Sequence, residues 1–233
     1  MQSERIVGLF DQQAGSYNQK WSELAAINGA LHLLTSAVLS QLSPNANILC
    51  VGAGTGAEVI YLARRFPGWR FTAVEPSKGM LDVFRRSADE HGISARCTIH
   101  EGFLDSLRFT ELFDAATCFL VSQFILDRAE RSRFFKGIAD RLSAKGMLVS
   151  TDLASDLDAT ESKSLVEVWF RLMKGNNVSP EEVVKMREAY GRDVAVLPPL
   201  EVREIIMRGG FESPVLFFQA GLIHGWYSRP ERR

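Results

Sequence analysis

The stretch Ile48-Leu-Cys-Val-Gly-Ala-Gly-Thr-Gly-Ala57 restricts the folds open to this chain more than any other. Four apolar residues, Ile48 to Val51, read as a short buried strand behind the turn signal Pro44-Asn45. Gly52 to Gly56 then form a turn with almost no side-chain bulk, and Val59, Ile60, Ala63 and Phe66 continue on one helical face until Pro67-Gly68. A strand, a glycine turn and a helix in that order bring backbone N–H groups close to a ligand and aim the positive end of the helix dipole at it. A Cβ in the turn would occupy the ligand's space, and a positive φ is expected at some of its positions.

Gly52, Gly54 and Ala57 fit the spacing G-x-G-x-x-A, and Glu75 lies roughly 20 residues on, at the tip of the next strand. A carboxylate there can accept hydrogen bonds from both ribose hydroxyls of an adenine nucleoside, so an adenosine-containing cofactor is expected. Glycine spacing does not say which one.

The rest of the chain alternates strands and helices. Ile6, Leu9 and Phe10 share a helical face that Gly15 is expected to break, and Trp21, Leu24, Ile27, Leu31, Leu34, Val38 and Leu42 predict one amphipathic helix of about five turns. Further strands are predicted at Trp69–Glu75, Ala95–His100, Phe113–Leu120 (running on into Val121–Phe124) and Met147–Asp152, the last after a turn at Lys145-Gly146. Between them lie a helix capped by Ser77 and closed by His91-Gly92, and a second from about Glu130 to Leu142. Five apolar strands alternating with helices imply an α/β sandwich, a parallel sheet covered on both faces, with ligands beyond the strands' carboxyl ends.

Residues 156–197 interrupt this rhythm with two helices joined by Gly175-Asn176-Asn177. An insertion after the fifth strand stands above the ligand edge, so a lid is the geometric expectation and a homodimer contact the second choice. Pro198-Pro199 opens a helix ended by Gly209-Gly210, and the runs Val215–Gln219 and Leu222–Ser228 are close enough to form an antiparallel hairpin. Residues 1–233 read as one domain, with 1–45 as an N-terminal helical cover.

Composition bounds the partners. The chain has 233 residues, with 27 basic against 28 acidic side chains, and that balance disfavours nucleic acid and anionic membrane as partners. No apolar run of transmembrane length and no leader pattern is evident, which makes a cytoplasmic location the expectation. Cys50, Cys97 and Cys118 fall inside predicted strands as small apolar residues, and the scattered histidines (His32, His91, His100, His224) offer no metal site.

With these motifs in place, the chain resembles the class I S-adenosylmethionine-dependent methyltransferases over nearly its whole length. The glycine-rich first motif, the acidic end of strand two, Phe113-Asp114 opening strand four, Leu142 with Gly146-Met147 before strand five, and the terminal strand pair after Gly209-Gly210-Phe211 carry the likeness. The segment Phe10-Asp-x-x-Ala-x-x-Tyr17 is similar to one that folds over the cofactor in small-molecule methyltransferases. The resemblance implies a Rossmann-like, mostly parallel seven-stranded sheet ending in an antiparallel hairpin. S-adenosylmethionine is the implied cofactor, S-adenosylhomocysteine the product, and a small molecule the methyl acceptor.

It also implies roles. Gly52, Ala53 and Gly54 would line the amino-acid part of the cofactor, Glu75 would take the ribose hydroxyls, and Pro76 and Met80 would flank the adenine. Gly102, Phe103 and Leu104 would form the other adenine wall. Phe103 stands where many relatives carry Asp, which leaves a backbone contact from Phe103 or Leu104 to the adenine amino group. Phe119 would offer a backbone contact to the methionine moiety, and Tyr17 would be a lid residue.

No general base is apparent: Gln123 is expected to face the acceptor, while Tyr190, His224 and Tyr227 read more readily as structural. An NAD-dependent oxidoreductase and a non-catalytic cofactor-binding sensor are the alternatives. The terminal hairpin and the lack of a second nucleotide-binding half count against the first.

Overall fold

A computed structural model describes residues 2–174 and 179–231. Seven strands form one sheet: β1 (Asn47–Val51), β2 (Arg70–Glu75), β3 (Cys97–Glu101), β4 (Phe113–Phe119), β5 (Leu142–Leu153), β6 (Val215–Ala220) and β7 (Ile223–Ser228). Their order is β3-β2-β1-β4-β5-β7-β6. The first five run parallel, and β7 lies antiparallel between β5 and β6. The order reverses between β1 and β4, so a crevice opens there at the carboxyl edge.

Helices α1 (Gln2–Lys20), α2 (Ala25–Leu39), α3 (Ala57–Arg65), α4 (Lys78–Glu90), α5 (Arg128–Ala139), α6 (Thr160–Lys174), α7 (Pro180–Arg192) and α8 (Pro199–Arg208) surround the sheet. One face buries Ile48, Cys50, Phe71 and Ala115 against Leu39, Val59, Leu62 and Phe84. The other buries Leu49, Ala116 and Leu148 against Phe135, Ile138, Val202 and Ile205. Ser77 caps α4, its hydroxyl accepting the Met80 N–H at 3.2 Å. Cys50 and Cys118 are buried and Cys97 half-buried, all as free thiols.

The backbone departs from sequence expectation in four places. First, α1 runs straight through Gly15. An interior glycine costs a helix about 1 kcal/mol, and packing of α1 on α4 overrides that. Second, the long helix expected from Trp21 to Leu42 is divided: Ser22–Leu24 is a 3-10 turn and α2 spans only Ala25–Leu39. Ser22–Leu39 is long and apolar enough to cross a membrane by length and composition, yet Leu31, Thr35, Ser36 and Leu39 are buried within the fold.

Third, Val121–Phe124 does not extend β4. Leu120 takes a left-handed φ of 56°, and a 3-10 turn follows at Ser122–Phe124. Fourth, Lys145-Gly146 lies inside β5: the β4–β5 register jumps from Phe113↔Leu142 to Ala115↔Met147. The predicted turn is therefore an excursion within a strand. The linker Gly175-Asn176-Asn177 lies outside the described residues, as do the side chains of Val183 and Met186.

Candidate active site

A cavity of about 1430 Å³ opens at the carboxyl ends of β1, β2, β3 and β4. Tyr17, Gly52, Ala53, Gly54, Glu75, Pro76, Met80, Gly102, Phe103, Leu104 and Phe119 all line it. Its volume exceeds the roughly 300–1,000 Å³ of a single small-ligand pocket, which leaves room for two ligands side by side.

The glycine turn forms the floor. Gly52 and Ala53 donate their N–H groups to the Val74 carbonyl at 2.8 and 3.2 Å, tying the turn to β2. Two reasons for glycine separate here. A Cβ on Gly56, at φ 81°, would stand 1.9 Å from the Phe84 ring, so that glycine serves packing. A Cβ on Gly54, at φ 54°, would meet nothing within 4 Å, because the cavity begins there.

Glu75 stands at the tip of β2, 7% exposed. One carboxylate oxygen accepts the Gly54 N–H at 3.0 Å and the other the Ser77 N–H at 2.9 Å. Burial raises its pKa, and the two backbone donors oppose that. An ionised carboxylate offers about four lone-pair sites, so roughly two remain for a ligand. Tyr17 lies nearby, its phenol pushed up to about 12 by burial and by the Glu75 charge, and stays protonated at neutral pH.

The cover comes from α1 and α2. Asp11 accepts hydrogen bonds from the Ser77 hydroxyl at 2.6 Å and the Gly79 N–H at 2.8 Å, while Asn18 accepts one from Thr55 at 2.7 Å. Gly79 permits the approach, since a Cβ there would stand 3.0 Å from the Asp11 carbonyl oxygen. Asp11→Ala removes the first latch and its helix-N-terminal charge. It is expected to cost about 1–2 kcal/mol and to speed amide hydrogen exchange in α1 while leaving the central strands protected.

The lid expected of residues 156–197 falls elsewhere. None of the described residues in that range lines the cavity. Val166, Trp169 and Phe170 pack instead with Leu24, Leu31, Leu222 and Ile223 beside the terminal hairpin. This segment therefore braces α2 from outside the cavity, and it meets α1 through an exposed Arg5–Asp193 ion pair.

Gln123 does not face the cavity either. Its side-chain oxygen accepts the Leu153 N–H at 2.7 Å and its carbonyl accepts the Ala195 N–H at 2.7 Å. The left-handed Leu120 turns the segment so that Gln123 satisfies buried backbone rather than a ligand. Tyr190 accepts a hydrogen bond from the Trp169 indole at 2.8 Å, His224 stacks on Trp226, and Tyr227 packs on Phe217; none of the three lines the cavity. Asp152, at the ligand edge by sequence, is buried in an ion pair with Arg131 at 3.0 Å.

Sequence reasoning gave no site role to His32 or Glu58, both of which line the cavity. His32 stacks near Tyr61 and Phe119, with centroids 5.3 and 6.4 Å away, and burial pulls its pKa down to about 4, leaving it uncharged. Its signal was the polar stripe Asn28, His32, Thr35 along one face of α2. Glu58, in the first turn of α3, is buried and bonded by the Thr117 hydroxyl. The signal was its position four residues before Leu62, on the buried face.

Burial raises the Glu58 carboxyl to about 7 from 4.5, against smaller lowering by hydrogen bonds from Thr117 and Cys50. The folded chain therefore holds this proton to higher pH than the unfolded one. Its contribution to stability is full below about pH 4.5 and is lost as pH rises to about 7. Glu58→Gln should raise the stability of the ligand-free protein at pH 8 by on the order of 3 kcal/mol, with little change at pH 4, as read by urea denaturation at both.

Comparison with known proteins follows the same lines. Residues 48–146 match a family model described as a methyltransferase domain. Among curated proteins, the chain is 40% identical over 101 residues to the release factor glutamine methyltransferase of Chlorobaculum tepidum, covering 43% of this chain and 34% of that one. It is 24% identical over 183 residues to a carboxy-S-adenosyl-L-methionine synthase of Campylobacter jejuni, covering 78% and 76%. The match thus spans about a third of the length of the first relative and three quarters of the second.

Among solved structures, the DhpI–SAH complex superposes with a TM-score of 0.67 at 15% identity, covering 97% of this chain and 96% of the other. A putative O-methyltransferase from Nostoc punctiforme gives 0.68 at 13% identity, covering 94% and 60%. At these identities the structural likeness establishes the fold.

Proposed function

We propose that the chain, which resembles the class I S-adenosylmethionine-dependent methyltransferases and matches a methyltransferase-domain model over residues 48–146, transfers a methyl group from S-adenosylmethionine to a small-molecule acceptor. The cofactor, when bound, supplies an electrophilic methyl carbon on sulfur. Everything else falls to the protein: holding that carbon, orienting the acceptor and excluding water.

The observation that carries the reading is the pairing of a buried carboxylate with an open glycine turn. Glu75 keeps lone pairs free for a ribose diol, and the space above Gly54 accepts the rest of the nucleoside. In this reading Pro76, Met80, Gly102, Phe103 and Leu104 flank the adenine. Gly52, Ala53 and the backbone of Phe119 receive the methionine part, and Tyr17 closes over it. Phe103 offers only its backbone for hydrogen bonding to the base.

The small-molecule acceptor is supported by the enclosure. Asp11 and Asn18 clamp α1 across the cavity, and the volume suits a cofactor with a compact second ligand. Two relatives, the release factor and ribosomal protein uL3 glutamine methyltransferases, bear names that specify protein acceptors, so acceptor size is the point to test. The purified protein is incubated with methyl-labelled S-adenosylmethionine and a cell extract divided by molecular size. Label should pass to the low-molecular-weight fraction. Label confined to the protein fraction would overturn the small-molecule acceptor.

A further inference from the structure

We propose that Glu58 is the counter-charge for the cationic methionine end of S-adenosylmethionine, and that it makes the site favour this cofactor over S-adenosylhomocysteine. The inference rests on the methyltransferase reading and goes beyond it, since neither the glycine turn nor Glu75 distinguishes the two ligands by charge.

The carboxylate lies one residue inside α3, immediately after the glycine turn, and lines the cavity. It is buried, and no Lys, Arg or His pairs with it among the described residues. Its neighbours are uncharged: the Thr117 hydroxyl from β4 and the Cys50 thiol from β1, itself held well above its usual range by burial. His32, across the same cavity, is neutral. The cavity's arginines are engaged elsewhere, Arg141 with the Leu104 and Gly137 carbonyls and Arg133 with Glu130.

Burying an uncompensated carboxylate is costly, and proteins retain such groups where a cation completes them. S-adenosylmethionine brings two cationic groups, a sulfonium and an ammonium. The product keeps only the ammonium. A carboxylate in a dry wall beside that end separates the two by charge rather than by shape.

Three ligands test this at pH 8: S-adenosylmethionine, S-adenosylhomocysteine and 5′-methylthioadenosine, which has the nucleoside but neither cationic group. Wild-type protein and Glu58→Gln are titrated with each by calorimetry. The substitution should weaken S-adenosylmethionine about tenfold or more, S-adenosylhomocysteine less, and methylthioadenosine by under about twofold. Because Glu58→Gln is expected to stabilise the ligand-free chain, lost affinity would not reflect unfolding.

A second readout follows from the proton. Cation binding favours the ionised carboxyl, so wild-type affinity for S-adenosylmethionine should rise with pH through about 7 and release a proton there. Titrations in buffers of different ionisation heat detect that proton. In Glu58→Gln the Glu58-linked rise and proton release should vanish, leaving only what Glu75 contributes. Equal weakening of all three ligands, or unchanged S-adenosylmethionine binding, would overturn the proposal while leaving the methyltransferase reading intact. Wild-type protein that bound no S-adenosylmethionine would overturn both.

Discussion

Arg131→Met is expected to lower stability by about 3–5 kcal/mol and the melting temperature by roughly 10 °C. Arg131 and Asp152 are both fully buried, 3.0 Å apart. The Arg131 guanidinium also donates to the Ser122 hydroxyl at 2.8 Å and the Ala195 carbonyl at 3.2 Å, and Ser122 in turn donates to Asp152. Burial pushes the Asp152 carboxyl up, and the Arg131 charge is the main force holding it down. Without the arginine, Asp152 must take a proton or stay charged in a dry interior.

The damage arises from the orphaned partner, so removing both should restore much of it. Arg131→Met with Asp152→Leu is expected to be more stable than Arg131→Met alone, as read by urea denaturation of the single and double variants. A single variant within about 1 kcal/mol of wild type would show that the pair is no more than a surface-strength contact. The same network anchors the turn carrying Leu120, Val121 and Phe124 into the cavity, so the single variant should also bind cofactor more weakly.

Glu75→Ala is expected to weaken S-adenosylmethionine about 100-fold or more, since charge-assisted hydrogen bonds are each worth about 1.5–3 kcal/mol. The side chain meets the ligand and also holds the turn, through the Gly54 and Ser77 N–H groups. Glu75→Gln is not a mild replacement. An amide would set its NH2 against one of those backbone donors, so it too should lose at least about tenfold. Equilibrium dialysis with labelled cofactor measures both, and near-wild-type binding by Glu75→Ala would remove Glu75 from the site.

Sequence carried the centre of the molecule and lost its margins, for identifiable reasons. The run Ile48–Val51, the glycines after it and Glu75 are local signals: strand, turn and strand tip follow from neighbouring residues alone. The terminal hairpin was legible in the same way, from two β runs with Ala220-Gly221 between them. Gly15 misled because helix propensity is weak beside the packing of α1 on α4 and the Asp11 latch. Gln123 misled because a single left-handed residue, Leu120, turns a strand-like run inward.

Residues 156–197 follow the strand edge in chain order, but Trp169 and Phe170 find their apolar partners beside β7 rather than over the cavity. Arg131 and Glu58 share a lesson. Each is a charged residue on a helical face that also carries buried apolar residues, Phe135 and Ile138 for one and Leu62 for the other. Such a position announces a buried charge, though its partner lies far away in sequence or outside the chain.

The claim on which the rest depends is that the cavity above Gly54 and Glu75 holds the adenosine of an S-adenosyl ligand. Calorimetric titration of the unmodified protein with S-adenosylhomocysteine, and separately with NADH, tests it most directly. Saturable one-to-one binding of S-adenosylhomocysteine with no heat from NADH is the predicted result. Saturable NADH binding, or no S-adenosylhomocysteine binding at millimolar ligand, would contradict it.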